Sequence, residues 1–263
     1  MSQSVASNFT RVWVCSMLLL VSACVTTEGR VFTNEASPEK ALETRLQLAR
    51  SYIGEQNWGD AKRNLKIAAQ IDRNAPEVHE VFGLYYQSTG EYELAEKSFK
   101  SAIAKKKDFS RARNNYAAFL YQQQRFQEAE DQLEVVVLDA LYESRPQAYL
   151  NLGLCRLRLQ DNQGAKDAFT RVLKMDRTNA IAMFELAQLE YQAENWSTSQ
   201  RYYDGYRGVA KRQSARALWL GVRLSEKLNN ADAEASYALA LRNLFPNSAE
   251  FQASERAIHR GEL

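Results

Sequence analysis

Apolar and polar positions along this chain follow two different rhythms. Near the amino terminus an apolar run covers Val12 to Leu20, broken by Ser16 and followed by the small residues Ser22 and Ala23 and by Cys24. From about residue 38 onward the pattern turns periodic. Small residues recur at Ala49, Gly83, Ala117, Gly153, Ala187 and Gly221, in steps of 34, 34, 36, 34 and 34. Twelve residues after each comes a second small residue: Ala61, Ala95, Ala129, Ala165, Ser199 and Ala233. Four residues further sits a larger side chain: Leu65, Phe99, Leu133, Phe169, Tyr203 and Tyr237. Three positions held in phase through six copies predict six units of two amphipathic helices each. The small positions let helix A and helix B of a unit approach closely, and the larger residue fills the space beside them. A single pair cannot bury its own apolar face, so neighbouring units are expected to stack into one continuous core.

Boundary signals agree with this register. Ser37-Pro38 reads as a helix cap followed by proline at the first helical position. Asn74-Ala75-Pro76-Glu77 and Ser144-Arg145-Pro146-Gln147 each offer a capping side chain with Glu or Gln three residues on. The longer step between units three and four places two extra residues near Leu138 to Arg145, a predicted interruption of the array. After unit six, Pro246-Asn247-Ser248 opens a last helix bearing Phe251 and Ile258. The period resembles the tetratricopeptide repeat, best seen in Phe82-Gly83-Leu84-Tyr85-Tyr86, then Gly90-Glu91-Tyr92-Glu93-Leu94-Ala95, then Phe99 and Ala102. The resemblance implies an all-α, right-handed superhelical solenoid of six repeats plus a C-terminal capping helix. The expected organisation is a leader at 1–23, a tether at 24–37, the repeats at 38–245 and the cap at 246–263.

The amino-terminal run is about half the roughly 20 apolar residues that span a bilayer, so it reads as a cleaved export signal. Val21-Ser22-Ala23-Cys24 resembles the lipobox of bacterial lipoproteins. That resemblance implies cleavage before Cys24, a diacylglycerol on its thiol and acylation of the new amino terminus. Val25, where an aspartate resembles an inner-membrane retention signal, implies passage to the outer membrane with the protein facing the periplasm. Several buried acyl chains make such an anchor stable.

Charge and chemistry add mostly exclusions. With 34 basic and 32 acidic side chains the chain is nearly neutral, which offers no electrostatic footprint for nucleic acid. Once Cys15 leaves with the signal and Cys24 is alkylated, Cys155 has no cysteine to pair with. It reads as a small core residue rather than a reactive thiol. His79 and His259 do not make a metal site with one thiol. There is no nucleophile elbow and no phosphate-binding glycine loop, so no enzyme activity, cofactor or small-molecule substrate is expected beyond the covalent lipid on Cys24. The Lys105-Lys106-Lys107 run falls at a helix C-terminus, where cations offset the helix dipole.

In tetratricopeptide arrays the positions three before, one after and four after the small residue of helix A line a concave groove. Here they supply the candidate groove residues Leu46, Arg50 and Ile53, Leu84, Tyr121, Leu150, Leu154 and Leu157, and Phe184 and Tyr191. The basic and amide clamp by which some of these domains grip a carboxylate is essentially absent, because the matching places hold Leu46, Arg50, Leu84, Asn114 and Ala118. An apolar groove of this kind marks a partner surface, favoured at unit one, and these side chains are expected to stand clear of the core. Signal, lipobox, short tether and six repeats together resemble type IV pilus biogenesis lipoproteins of the PilF/PilW kind. The resemblance implies a pilotin that binds the secretin subunit and promotes its localisation and multimerisation in the outer membrane, with an amphipathic segment of the secretin laid in the groove. A repeat scaffold recruiting peptidoglycan enzymes or periplasmic proteases is the alternative, and a subunit of the β-barrel insertion machinery is a third.

Overall fold

The computed structural model describes residues 37–260, with side chains through Ala257. The signal, Cys24 and almost all of the tether lie outside the described residues, as do the side chains of Ile258 and His259. The chain divides into two units, Met1–Glu39 and Lys40–Leu263. The helical array belongs to the second, and only Ser37 to Glu39 of the first are described.

Thirteen α-helices and no strand are present among the described residues. Unit one comprises α1 (Pro38–Gly54) and α2 (Trp58–Ile71), unit two α3 (Pro76–Thr89) and α4 (Tyr92–Lys105). Unit three comprises α5 (Ser110–Gln122) and α6 (Phe126–Leu138), and unit four α7 (Arg145–Arg158) and α8 (Asn162–Met175). Unit five holds α9 (Ala180–Gln192) and α10 (Trp196–Val209), unit six α11 (Ala215–Lys227) and α12 (Ala231–Leu244), and α13 (Ala249–Arg260) closes the series. From α2 onward each helix packs against the next in sequence, and α3, α5 and α7, like α9 and α11, also pack side by side along one face; α1 shares a core cluster with α2. The solenoid is all-α, as the periodicity predicts.

The spacing between small and large positions has a direct steric meaning. A Cβ placed on Gly83 would lie 2.6 Å from the ring of Phe99, and one on Gly153 would lie 2.5 Å from the ring of Phe169. Both rings belong to residues sixteen further along, on helix B of the same unit. Where the small residue is Ala49 or Ala117, the partner at that distance is Leu65 or Leu133, and all four are fully buried. In units one to four aromatic volume is thus matched to glycine and aliphatic volume to alanine, as close packing requires, whereas unit five buries Tyr203 opposite Ala187. The core runs across unit boundaries: one cluster joins Leu46, Ala49 and Leu65 to Val78 and Val81, and another joins Phe99 to Leu133 and Leu152.

Two capping expectations are corrected. Asn74 does not cap α3. Its backbone N–H instead donates to the Asp72 carboxylate at 2.7 Å, as does that of Ala75 at 3.1 Å. Ser144 makes no side-chain cap to α7. Proline at the first turn already removes one of the donors a cap would serve. Ser248 does cap α13, its hydroxyl accepting from the Phe251 N–H at 3.1 Å. That last helix packs against both α11 and α12.

Candidate functional site

The positions flanking each small residue of helix A divide sharply by burial. All six residues three places before it are buried: Leu46, Glu80, Asn114, Leu150, Phe184 and Leu218. One turn of helix sets this position above the small residue and against the neighbouring unit. Leu46, Leu150 and Phe184 are therefore core rather than free groove residues, which corrects the expectation drawn from the repeat. Leu46 is only 3% exposed, so a charge placed there would enter the core of unit one. The positions one and four after the small residue face the groove in units one to five, where they are partly exposed. In unit six Val222 and Ser225 are buried instead, where α13 packs on α11.

The remaining candidate residues fall into separate settings. Arg50 and Leu84 line one cleft of about 880 Å³. Tyr121 and Leu154 line a second cavity of about 290 Å³, beside Ala118, Gln122 and Asn151. Ile53 and Leu157 are half-buried against the cores of their own units. Tyr191 packs on Trp196 at 4.9 Å between ring centres, and the Arg223 guanidinium lies 4.6 Å from the centre of the Tyr191 ring. Phe184 meets Tyr206 at 5.3 Å and the guanidinium of Arg216 at 5.2 Å.

The first cleft is organised by Glu80, whose side chain is 0% exposed. One carboxylate oxygen accepts from Arg50 at 2.5 Å and lies 3.6 Å from Arg111, and the other accepts from Asn115 at 2.6 Å. A buried carboxylate survives only when charge and hydrogen bonds are both supplied, and here units one and three supply them. Glu80 thereby ties three successive units together across the concave face. Asn151 donates to Asn114 at 3.1 Å and Gln87 to Gln122 at 2.8 Å, continuing the polar cross-links. The far wall is the loop after α6. There Asp139 accepts from the Ser110 hydroxyl at 2.5 Å and from the Leu141 N–H at 3.1 Å, and those bonds hold its carboxyl below the usual range. The repeat pattern by itself does not reveal Arg111, Asn115, Leu141 or Tyr142 as cleft residues; the one available signal was the two-residue lengthening of the period.

Titration behaviour elsewhere follows from packing. Burial pushes the Cys155 thiol up to about 12, with Glu130 adding to the effect, so it stays protonated at neutral pH. Burial also raises Glu185, which Arg216 only partly offsets. It lowers His79, with Lys105 reinforcing the shift.

Helix pairs at a 34-residue period, with a polar and apolar inner face and two cavities on it, define a tetratricopeptide repeat protein. Tetratricopeptide repeat models match residues 87–150 and 150–215. The type IV pilus assembly protein PilF of Pseudomonas aeruginosa is 31% identical over 233 residues, which cover 88% of this chain and 92% of that one. The solved structure of Pseudomonas aeruginosa PilF superposes with a TM-score of 0.79 at 32% identity, covering 83% of this chain and 98% of that one. PilW, a widely conserved type IV pilus biogenesis factor, superposes with a TM-score of 0.70 at 26% identity, over 82% and 98% of the two chains. The chain belongs to the PilF family of type IV pilus assembly proteins.

Proposed function

We propose that this protein is the pilotin of a type IV pilus: a lipoprotein, anchored through Cys24 on the periplasmic side of the outer membrane, that binds the secretin subunit and promotes its multimerisation. The kinship with PilF along 88% of the chain carries the reading. The inner face supports it, because Leu84, Tyr121 and Leu154 remain accessible there beside two cavities, the arrangement a partner segment needs. In this reading the lipid rides the lipoprotein sorting route and the bound secretin inherits the destination. No cofactor or catalytic step enters it.

Two strains test the proposal. Deletion of the gene is expected to leave secretin as misplaced monomer, with heat-resistant multimers missing from outer-membrane fractions. Cys24→Ser is expected to lose fatty-acid label and outer-membrane fractionation while the repeats stay folded. Normal multimers in the deletion strain would defeat the pilotin assignment, and labelled Cys24→Ser protein would defeat the anchor.

A further inference from the structure

A cleft lined by residues of units one to four, from Arg50 to Gln147, opens on the inner face, and what it holds rests on the reading of this chain as a pilus-assembly protein with a protein partner. Its outer wall is the loop from Asp139 to Ser144, built from the only step of the repeat that departs from 34 residues. Insertions in repeat arrays collect in loops on one face, often the binding face. This loop does something the rest of the fold does not require. It carries Leu141 92% exposed, and Leu138 just before it is 80% exposed. Leu141 stands at the mouth of the cleft, with Tyr142, Leu84 and Phe109 further along its lining.

Charge selects the occupant. Five carboxylates line the cleft, those of Glu77, Glu80, Asp108, Asp139 and Glu143. Three cations oppose them: Arg50, Lys106 and Arg111. Glu80 already engages Arg50 and Arg111. Lys106 lies over the Phe109 ring at 5.4 Å. Glu77, Asp108 and Glu143 have no ion-pair partner among the described residues. The cleft is thus an acidic, partly apolar recess with a leucine held out at its rim.

We infer that this cleft is the docking site for a basic segment of the partner protein, one in which a Lys or Arg side chain lies beside an apolar one. The cation meets Glu77, Asp108 and Glu143, and the apolar side chain covers Leu141 and Tyr142. Like-charged segments are rejected by the same carboxylates.

The test uses the full lipidated chain in detergent micelles, with empty micelles as the blank. Two labelled twelve-residue peptides serve as probes, one alternating Leu with Lys and one alternating Leu with Glu. Fluorescence anisotropy is expected to show the Leu-Lys peptide binding at least tenfold more tightly, with affinity falling as salt rises. The double variant Leu141→Asp with Glu143→Lys is expected to lose at least tenfold of that affinity at an unchanged unfolding midpoint, since both side chains are exposed. Should its midpoint fall, Glu143→Gln alone is expected to weaken binding severalfold. Equal affinity for the two peptides, or variants that bind like the parent, would overturn the inference. So would a dimer of the parent that the double variant dissociates, which would give the cleft to a second copy of the chain. In cells, a double variant that assembles normal secretin multimers while the deletion does not would remove this site and leave the pilotin assignment standing.

Discussion

Gly153 and Phe169 show what a single atom decides in this molecule. A methyl group on Gly153 would stand 2.5 Å from the Phe169 ring, which is fully buried and has nowhere to move. Gly153→Ala is therefore expected to destabilise the protein by about 1–3 kcal/mol. Phe169→Leu should recover part of that loss in a double-mutant cycle followed by thermal unfolding, and strictly additive losses would show that the two residues do not meet. Glu96 makes an electrostatic counterpart. Hydrogen bonds from Arg125, then Lys100 and Tyr116, outweigh its desolvation and hold its pKa at about 2 against an ordinary 4.5. A depressed carboxylate adds stability that is complete above its unfolded pKa and fades as pH falls through the folded one. The window therefore runs from about 4.5 down to about 2, and partial exposure of the pair limits the effect to on the order of 1–2 kcal/mol. Glu96→Gln should flatten that part of the pH–stability curve, and curves that superimpose would contradict this.

At the scale of the element, all six turns from helix A to helix B use the same backbone device. The residue two before helix B has positive φ each time: Gln56, Gly90, Gln124, Gln160, Glu194 and Asn229. Only unit two places glycine there, where φ is 85°. Left-handed backbone costs a residue with a Cβ roughly 1–2 kcal/mol, partly offset by the entropy a glycine loses on folding. Gln124→Gly is accordingly expected to stabilise by about 0.5–1 kcal/mol and Gly90→Ala to destabilise by about 1 kcal/mol. Denaturant midpoints that shift the other way would exclude the turn as the source. Three of the five loops from helix B to the next helix A share a device of their own. Asp72, Asp139 and Asp176 each terminate helix B and accept a backbone N–H two residues on, an Asx turn.

Across the whole molecule, coupling passes from unit to unit through the shared cores and through Glu80. Removing that carboxylate would leave Arg50, Arg111 and Asn115 without their common acceptor. Glu80→Ala is expected to cost about 1–3 kcal/mol, moderated because Arg50 is partly exposed. In a solenoid each unit answers mainly to its neighbours. Amide exchange should therefore quicken in α1 to α5 and stay unchanged in α9 to α12. Uniform loosening along the chain would show that the array unfolds as one block.

The one-dimensional periodicity was enough to establish the helix pairs, their register and the core identity of Leu65, Phe99 and Phe169. In a repeat array each residue's neighbours lie at fixed offsets in sequence, so local pattern and tertiary contact coincide. The same regularity marked the helices carrying Arg50, Leu84, Tyr121 and Leu154, and it located the irregular step after unit three. It did not separate groove from core within a helix face. Leu46, Leu150 and Phe184 share a face with the groove residues in sequence, yet the following unit buries them, because burial there depends on the pitch of one unit over the next. Nor did it show that Glu80, Arg111 and Asn115, from two different units, converge on one buried carboxylate. That meeting, and the acidic cleft behind Leu141, exist only once three units are stacked, since the distances that create them run between helices and have no counterpart along the chain.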